Sequence, residues 1–204
     1  MGYKKLSPSF VKKMNTLMKM ELDDWSDNLV GKVKQELRFT TEIESLWLEE
    51  VSHFIGRFHS YAEHRNSFGV KSLDTENNNY GIQVISGWFV RQFENEYNPL
   101  HSHGGHISGV GYLKLPKTFG DTFQKNKKEN YNGKLQLLHG SRMFLSPINL
   151  NIQPELGDFY FFPNYLMHCV YPFLNSNEER RSISFNAHID NDIYNVHGSS
   201  LDEK

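Results

Sequence analysis

The chain has 204 residues, a formal net charge of −2 and a pI near 6.5, a balance that offers no basic footprint for nucleic acid or an anionic membrane. Hydrophobic residues make up 38% and aromatics 14%, enough apolar material for one core in one domain. One cysteine, Cys169, against ten histidines excludes an internal disulfide and a thiolate zinc site and points to a reduced, cytoplasmic setting.

The opening Met1-Gly2-Tyr3-Lys4-Lys5-Leu6-Ser7 has no apolar stretch behind its lysines, so no signal peptide is expected, and no run has the length of a membrane span. Ser7 followed by Pro8 reads as a helix start. Phe10, Val11, Met14, Leu17 and Met18 then share one helical face. Leu29, Val30, Val33 and Leu37 suggest a second short helix. Thr41 to Glu44 has the form of a capping box. Behind it Ile43, Leu46, Trp47, Val51, Phe54, Ile55, Phe58 and Tyr61 keep one stripe for five turns, the strongest helical signal in the chain. His53, His59 and His64 stand among charged residues on this helix and read as surface side chains.

The pattern changes near residue 80. Segments 81–93, 107–115, 133–138, 158–162, 168–171 and 180–188 are β-branched, aromatic or alternating, with Gly, Pro and Asn between them. Residues 117–132 are polar and rich in Lys and Asn, a loop. The end, 190–204, is a polar tail. Helices first and short strands after predict a mainly β fold with α: helices of residues 1–80 flanking a sandwich or jelly roll of residues 81–189.

Two runs carry chemistry. In Asn98-Pro99-Leu100-His101-Ser102-His103-Gly104-Gly105-His106, residues i and i+2 of an extended chain point the same way. His101 and His103 would present two imidazoles on one face, with Gly104 and Gly105 leaving room beside them. A third histidine, His168, follows an aromatic run, Phe161 to Tyr165, that would screen it from water. Imidazoles suit iron, zinc, copper and nickel alike, and a His-x-His pair near a turn is equally compatible with solvated loop residues. The second run is Arg180-Arg181-Ser182-Ile183-Ser184-Phe185-Asn186. Alternation places Arg180, Ser182, Ser184 and Asn186 on one face and Ile183 and Phe185 on the other. A fixed guanidinium with a hydroxyl two residues on can grip a carboxylate, whereas Arg181, facing the other way, reads as a solvated edge.

Together these runs resemble the 2-oxoglutarate- and Fe(II)-dependent oxygenase superfamily, and most of all a branch of marine bacteria and phages. The resemblance rests on His101-Ser102-His103 leading into Ser108-Gly109-Val110-Gly111-Tyr112-Leu113. It rests further on Gly157-Asp158-Phe159-Tyr160-Phe161-Phe162-Pro163, on His168-Cys169-Val170-Tyr171-Pro172, and on Arg180 to Asn186. It spans roughly residues 88–187 and implies a double-stranded β-helix, or jelly roll, with iron at one mouth. His101 and His168 would be ligands of Fe(II). Arg180 and Ser182 would hold the distal carboxylate of the cosubstrate 2-oxoglutarate, with Tyr112 a further donor. Dioxygen would convert 2-oxoglutarate to succinate and carbon dioxide while a small-molecule substrate is oxidised; neither its identity nor the oligomeric state follows.

One departure stands out. The superfamily places Asp or Glu two residues after the first histidine, and here that place holds His103. Either His103 is itself a ligand, the reading favoured by its spacing, or it stands behind the metal with water in its place, or His106 swings in. Two other functions compete: a three-histidine cupin-like dioxygenase that needs no 2-oxoglutarate, and a non-catalytic jelly-roll binding module. Arg180 and Ser182 have work only in the first reading.

Overall fold

A computed structural model describes residues 1–66, 82–122, 126–145 and 147–189, with the backbone alone for 59–66. The expected tail 190–204, Gly81 at the start of the first expected strand, and the side chains of His59, Tyr61 and His64 lie outside these residues.

Among the described residues ten strands and two α-helices follow one another. They are β1 (Gly2–Lys5), α1 (Pro8–Leu17), β2 (Gln35–Arg38), α2 (Thr41–Asn66), β3 (Gln83–Gln92), β4 (Asn98–His101) and β5 (Ile107–Lys114). Then come β6 (Leu135–Leu138), β7 (Asn149–Ile152), β8 (Asp158–Pro163), β9 (Met167–Val170) and β10 (Arg180–His188). They form two antiparallel sheets, a six-stranded one in the order β1-β8-β5-β10-β3-β2 and a four-stranded one in the order β4-β9-β6-β7. This is the double-stranded β-helix expected, with the N-terminal helices packed on the larger sheet.

Sequence explains the helical layer. Ser7 Oγ accepts a hydrogen bond from the Phe10 N–H at 3.2 Å, and Pro8 occupies the first turn, where its missing N–H costs nothing. Phe10 and Met14 are buried. On α2 the buried positions are Ile43, Trp47, Val51 and Ile55, one per turn. They meet Phe159, Phe161, Ile183 and Phe185 from the sheet in one apolar cluster. Trp47 lies 4.2 Å from Phe185, centroid to centroid. Phe54 leaves the stripe; it is exposed and carries Lys4 over its ring at 4.4 Å.

Two local readings are corrected. The cap of α2 sits one residue earlier than the Thr41–Glu44 box. Thr40 Oγ1 accepts from the Ile43 N–H, and the Glu44 N–H bonds the Thr40 carbonyl. The expected helix around Leu29 to Leu37 does not form. A single 3-10 turn, Ser26–Asn28, precedes an extended segment, and Gln35–Arg38 pairs along Trp88–Arg91 as the edge strand β2. The exposed ladder of β3 offers these residues four backbone partners, and that outweighs a weak helical spacing interrupted by Gly31. The two edges of the large sheet, β1 and β2, thus both come from the N-terminal third.

Between the sheets lies a second, smaller core of Val110, Tyr112, Leu135, Leu137, Ile152, Phe162 and Val170. One end of this layer is polar and forms the site.

Candidate metal centre and cosubstrate pocket

Strands β4 and β9 place His101 directly opposite His168. β4 ends at His101, so His103 reaches the cluster by a turn and not by strand alternation. Asn164 makes that turn. Its backbone carbonyl accepts from the His103 N–H at 3.0 Å, its backbone N–H donates to the His106 carbonyl at 3.1 Å, and its Nδ2 donates to the His103 carbonyl at 3.0 Å. Gly105 has a φ of +89°, and a side chain there would strike Ile85 and the Ala187 carbonyl, whereas Gly104 faces open space. The first glycine leaves the room the sequence suggested; the second is required by the backbone.

The three rings converge, with centroids 4.3–4.9 Å apart. One nitrogen from each lies within 4.8 Å of the others, and among the described residues this is the one His/Cys/Asp/Glu group placed to hold a metal. His101 Nδ1 lies 2.7 Å from the Pro99 carbonyl and His168 Nδ1 lies 2.8 Å from the Leu166 carbonyl. A carbonyl only accepts, so each Nδ1 carries the proton and each Nε2 presents a lone pair. His103 Nε2 and His168 Nε2 are 3.1 Å apart, the spacing of two nitrogens each about 2 Å from one shared cation. Burial, reinforced by the neighbouring histidines, pushes His103 down to about 3 and His168 to about 4; burial also lowers His101. All three are therefore neutral at physiological pH, the ligand form of imidazole. His106 turns away, with its ring 4.6 Å from that of His188.

The same cleft is lined by Trp88, Val110, Phe162, Arg180, Ser182 and Ser184 besides the histidines. Arg180 is only 2% exposed. Its Nη1 donates to Gln92 Oε1 at 2.9 Å, its guanidinium lies over the Tyr112 ring at 4.9 Å, and its Nε and Nη2 have no hydrogen-bond partner among the described residues. The Tyr112 hydroxyl is buried beside this cation and also makes no hydrogen bond of good geometry. Burial raises the Tyr112 phenol, which stays a donor, and burial lowers Arg180. A buried guanidinium without a counter-ion is costly. Two idle guanidinium nitrogens, an idle hydroxyl and the nearby Ser182 match the acceptors of one carboxylate. Arg181 faces out, but it is not solvated at random: Glu179 accepts from its Nε and Nη2, and Asn15 Oδ1 accepts from its Nη1.

Residues 86–186 match a family model described as "Putative 2OG-Fe(II) oxygenase". The chain belongs to this family. It is an Fe(II)- and 2-oxoglutarate-dependent oxygenase, an oxidoreductase that couples decarboxylation of 2-oxoglutarate to oxidation of a second substrate. No curated protein matches it by sequence. Solved structures share the fold. The viral collagen prolyl hydroxylase vCPH of Paramecium bursaria Chlorella virus-1, crystallised with 2-oxoglutarate, aligns with a TM-score of 0.54 at 13% identity, over 92% of this chain and 96% of that one. A Pseudomonas putida prolyl-4-hydroxylase gives 0.51 at 14%, over 91% and 92%. HygX of Streptomyces hygroscopicus, with nickel, 2-oxoglutarate and hygromycin B bound, gives 0.53 at 11%, over 92% and 82%.

Sequence reasoning brought His101, His103, His168, Arg180, Ser182 and Tyr112 to the page, and all six lie around or directly behind one cleft. It missed three supports. Asn164 was readable only as a turn residue after Pro163. Gln92 shares a strand face with Trp88 and Val90, a period-two signal that was available. Glu36, on an edge strand, carries no local sign of burial.

Proposed function

We propose that His101, His103 and His168 hold Fe(II) in an all-histidine centre, and that Arg180, with Tyr112 and Ser182, holds the distal carboxylate of 2-oxoglutarate. The observation that carries this is the uncompensated Arg180 guanidinium in the same cleft as three neutral imidazoles. Its Nε and Nη2 would donate to the carboxylate, Tyr112 Oη and Ser182 Oγ would add neutral donors, and Gln92 fixes the fork from behind. The Pro99 and Leu166 carbonyls hold two imidazoles in the ligating tautomer. Val110, Leu135, Phe162 and Val170 dry the cavity walls, which strengthens each of these polar contacts. Iron(II) and 2-oxoglutarate, when bound, would let dioxygen act as the oxidant, two of its four oxidising equivalents going to the conversion of 2-oxoglutarate to succinate and carbon dioxide and two to the substrate. A three-histidine dioxygenase that dispenses with 2-oxoglutarate would leave Arg180 a buried charge without use.

The substrate is proposed to be a small molecule. Among the described residues no helix is long and apolar enough to cross a membrane. A cytoplasmic setting suits a ferrous centre and the free thiol of Cys169.

The test is binding. Anaerobic protein with Fe(II) and 2-oxoglutarate is expected to show a weak visible absorption band and to form succinate slowly in air without added substrate. Arg180→Met should need about 100-fold more 2-oxoglutarate, the loss of a charged hydrogen-bonding group. His168→Ala should abolish iron binding while the fold persists; stoichiometric iron retained by that variant would refute the assignment.

A further inference from the structure

His101 and His168 are each locked by a backbone carbonyl two residues earlier, but His103 is not. Among the described residues no hydrogen bond reaches its Nδ1, and Asn164 holds only its backbone. Among the aromatic rings of the described residues, the one it meets besides the other two histidines is Trp88, edge to face, with centroids 6.0 Å apart. The orientation of His103 therefore depends on what holds Trp88.

Glu36 stands behind that indole. It is 1% exposed on β2, opposite Val90 and diagonal to Trp88. Its backbone is fixed on both sides: the Trp25 N–H donates to its carbonyl, and its own N–H donates to Ser26 Oγ. The chain at Gly31 lies flush on the carboxyl; a side chain there would meet Glu36 Oε2 at 2.8 Å and Oε1 at 3.0 Å. Asn98, a wall of the cleft, approaches the same point to 3.0 Å. On the same face of the sheet, one diagonal step along the ladder, its neighbour is Trp88, and an indole N–H beside a carboxyl favours the charged form. Burial first, then the Asp24 charge, work against it and push Glu36 up to about 7. No cation pairs with it among the described residues, and Oε2 has no partner. A carboxyl kept at such cost in one rigid place beside one donor holds that donor in place.

We propose that Glu36 is a positioning residue for the histidine centre: it anchors the Trp88 indole, and the anchored indole orients His103. The pair does for His103 what the Pro99 and Leu166 carbonyls do for the other two rings. The proposal rests on the metal-centre reading above.

The test uses the full chain, Co(II) alone as the probe, and nitrogen NMR of the histidine rings in metal-free protein. Groups that bond a ligand directly typically change metal affinity by roughly 10- to 100-fold. One step further out, Glu36→Leu and Trp88→Phe are each expected to weaken Co(II) binding by about tenfold. The double variant should be no worse than either, because the two act as one unit. Glu36→Gln keeps an oxygen for the indole and should stay within about threefold of the wild type. In metal-free Glu36→Leu the ring signals of His103 should broaden while those of His101 and His168 stay sharp. A sharp His103 in that variant, or losses that add in the double variant, would overturn the proposal. If Glu36→Leu does not fold, Trp88→Phe decides, and unchanged Co(II) affinity with a sharp His103 ring overturns it. If the wild type takes up no Co(II), the metal-centre reading fails, and the metal-free ring signals still decide the role of Glu36.

Discussion

The two faces of β10 are alike in burial and unlike in how their side chains are satisfied. One face sends Ile183, Phe185 and Ala187 into the core under α2, where apolar groups meet one another. The other sends Arg180 and Ser182 inward, equally buried, yet with guanidinium nitrogens left without partners. The same strand, with the same backbone ladder on both sides to β3 and β5, is thus finished on one face and unfinished on the other. Unsatisfied buried polar groups are retained in a native fold where a ligand completes them. The dry face holds the protein together; the wet face is built for something the chain alone does not supply.

The sharpest way to break this contrast is to truncate one residue on each face. Phe185→Ala removes a ring that contacts both Trp47 and Phe159. It is expected to cost about 3–5 kcal/mol in urea unfolding. Arg180→Met should leave stability within about 1 kcal/mol of the wild type, because an unpaired buried charge is exchanged for apolar volume, only Gln92 loses a hydrogen bond, and the Tyr112 ring keeps an apolar neighbour. A large loss of stability in Arg180→Met would show that the guanidinium is structural, and the division between the faces would fail.

How far the sequence could see this division follows from what set each piece. The alternation of Arg180 to Asn186 is a local pattern, and β10 appears where it was expected, Arg180–His188. The stripe of α2 is likewise local. The short edges β1, β2 and β7 are four residues each; they exist because neighbouring strands offer free ladders, a tertiary cause invisible in four letters. The histidines were legible as residues but not as geometry: Asn164, 61 positions after His103, folds the turn that brings His103 back. Glu36 was not legible at all, since a glutamate between Gln35 and Leu37 reads as solvent-facing until the chain at Gly31 closes over it.

A smaller effect extends the contrast to Glu36, also on the unfinished side. Below about pH 4.5 its carboxyl holds a proton in both the folded and unfolded chain. As pH rises to about 7, the unfolded chain releases that proton and the folded chain keeps it. Folding stability therefore falls through this window, by on the order of 3 kcal/mol, and the loss levels off above it. Glu36→Gln should remove this component, so that urea unfolding at pH 5 and pH 8 differs less than in the wild type by that amount. An equal pH dependence in the two proteins would mean that the carboxyl is solvated or paired, and the cost assigned to it would disappear.

The smallest expected effect lies on the finished side. Ser7 caps α1 through the Phe10 N–H, and its own N–H donates to Glu50 Oε1 at 3.0 Å, tying the start of α1 to α2. Ser7→Ala leaves that backbone tie in place and removes the cap together with the contacts of its hydroxyl to Glu50 Oε2 and Ser9 Oγ, for about 1 kcal/mol. Iron and 2-oxoglutarate affinities should not move, because Ser7 reaches the cleft only through the large sheet. If so small a change in the helical layer weakened either ligand, the sheet would be transmitting strain between its faces. The two sides of β10 would then be one coupled unit, and the independence inferred from their packing would be lost.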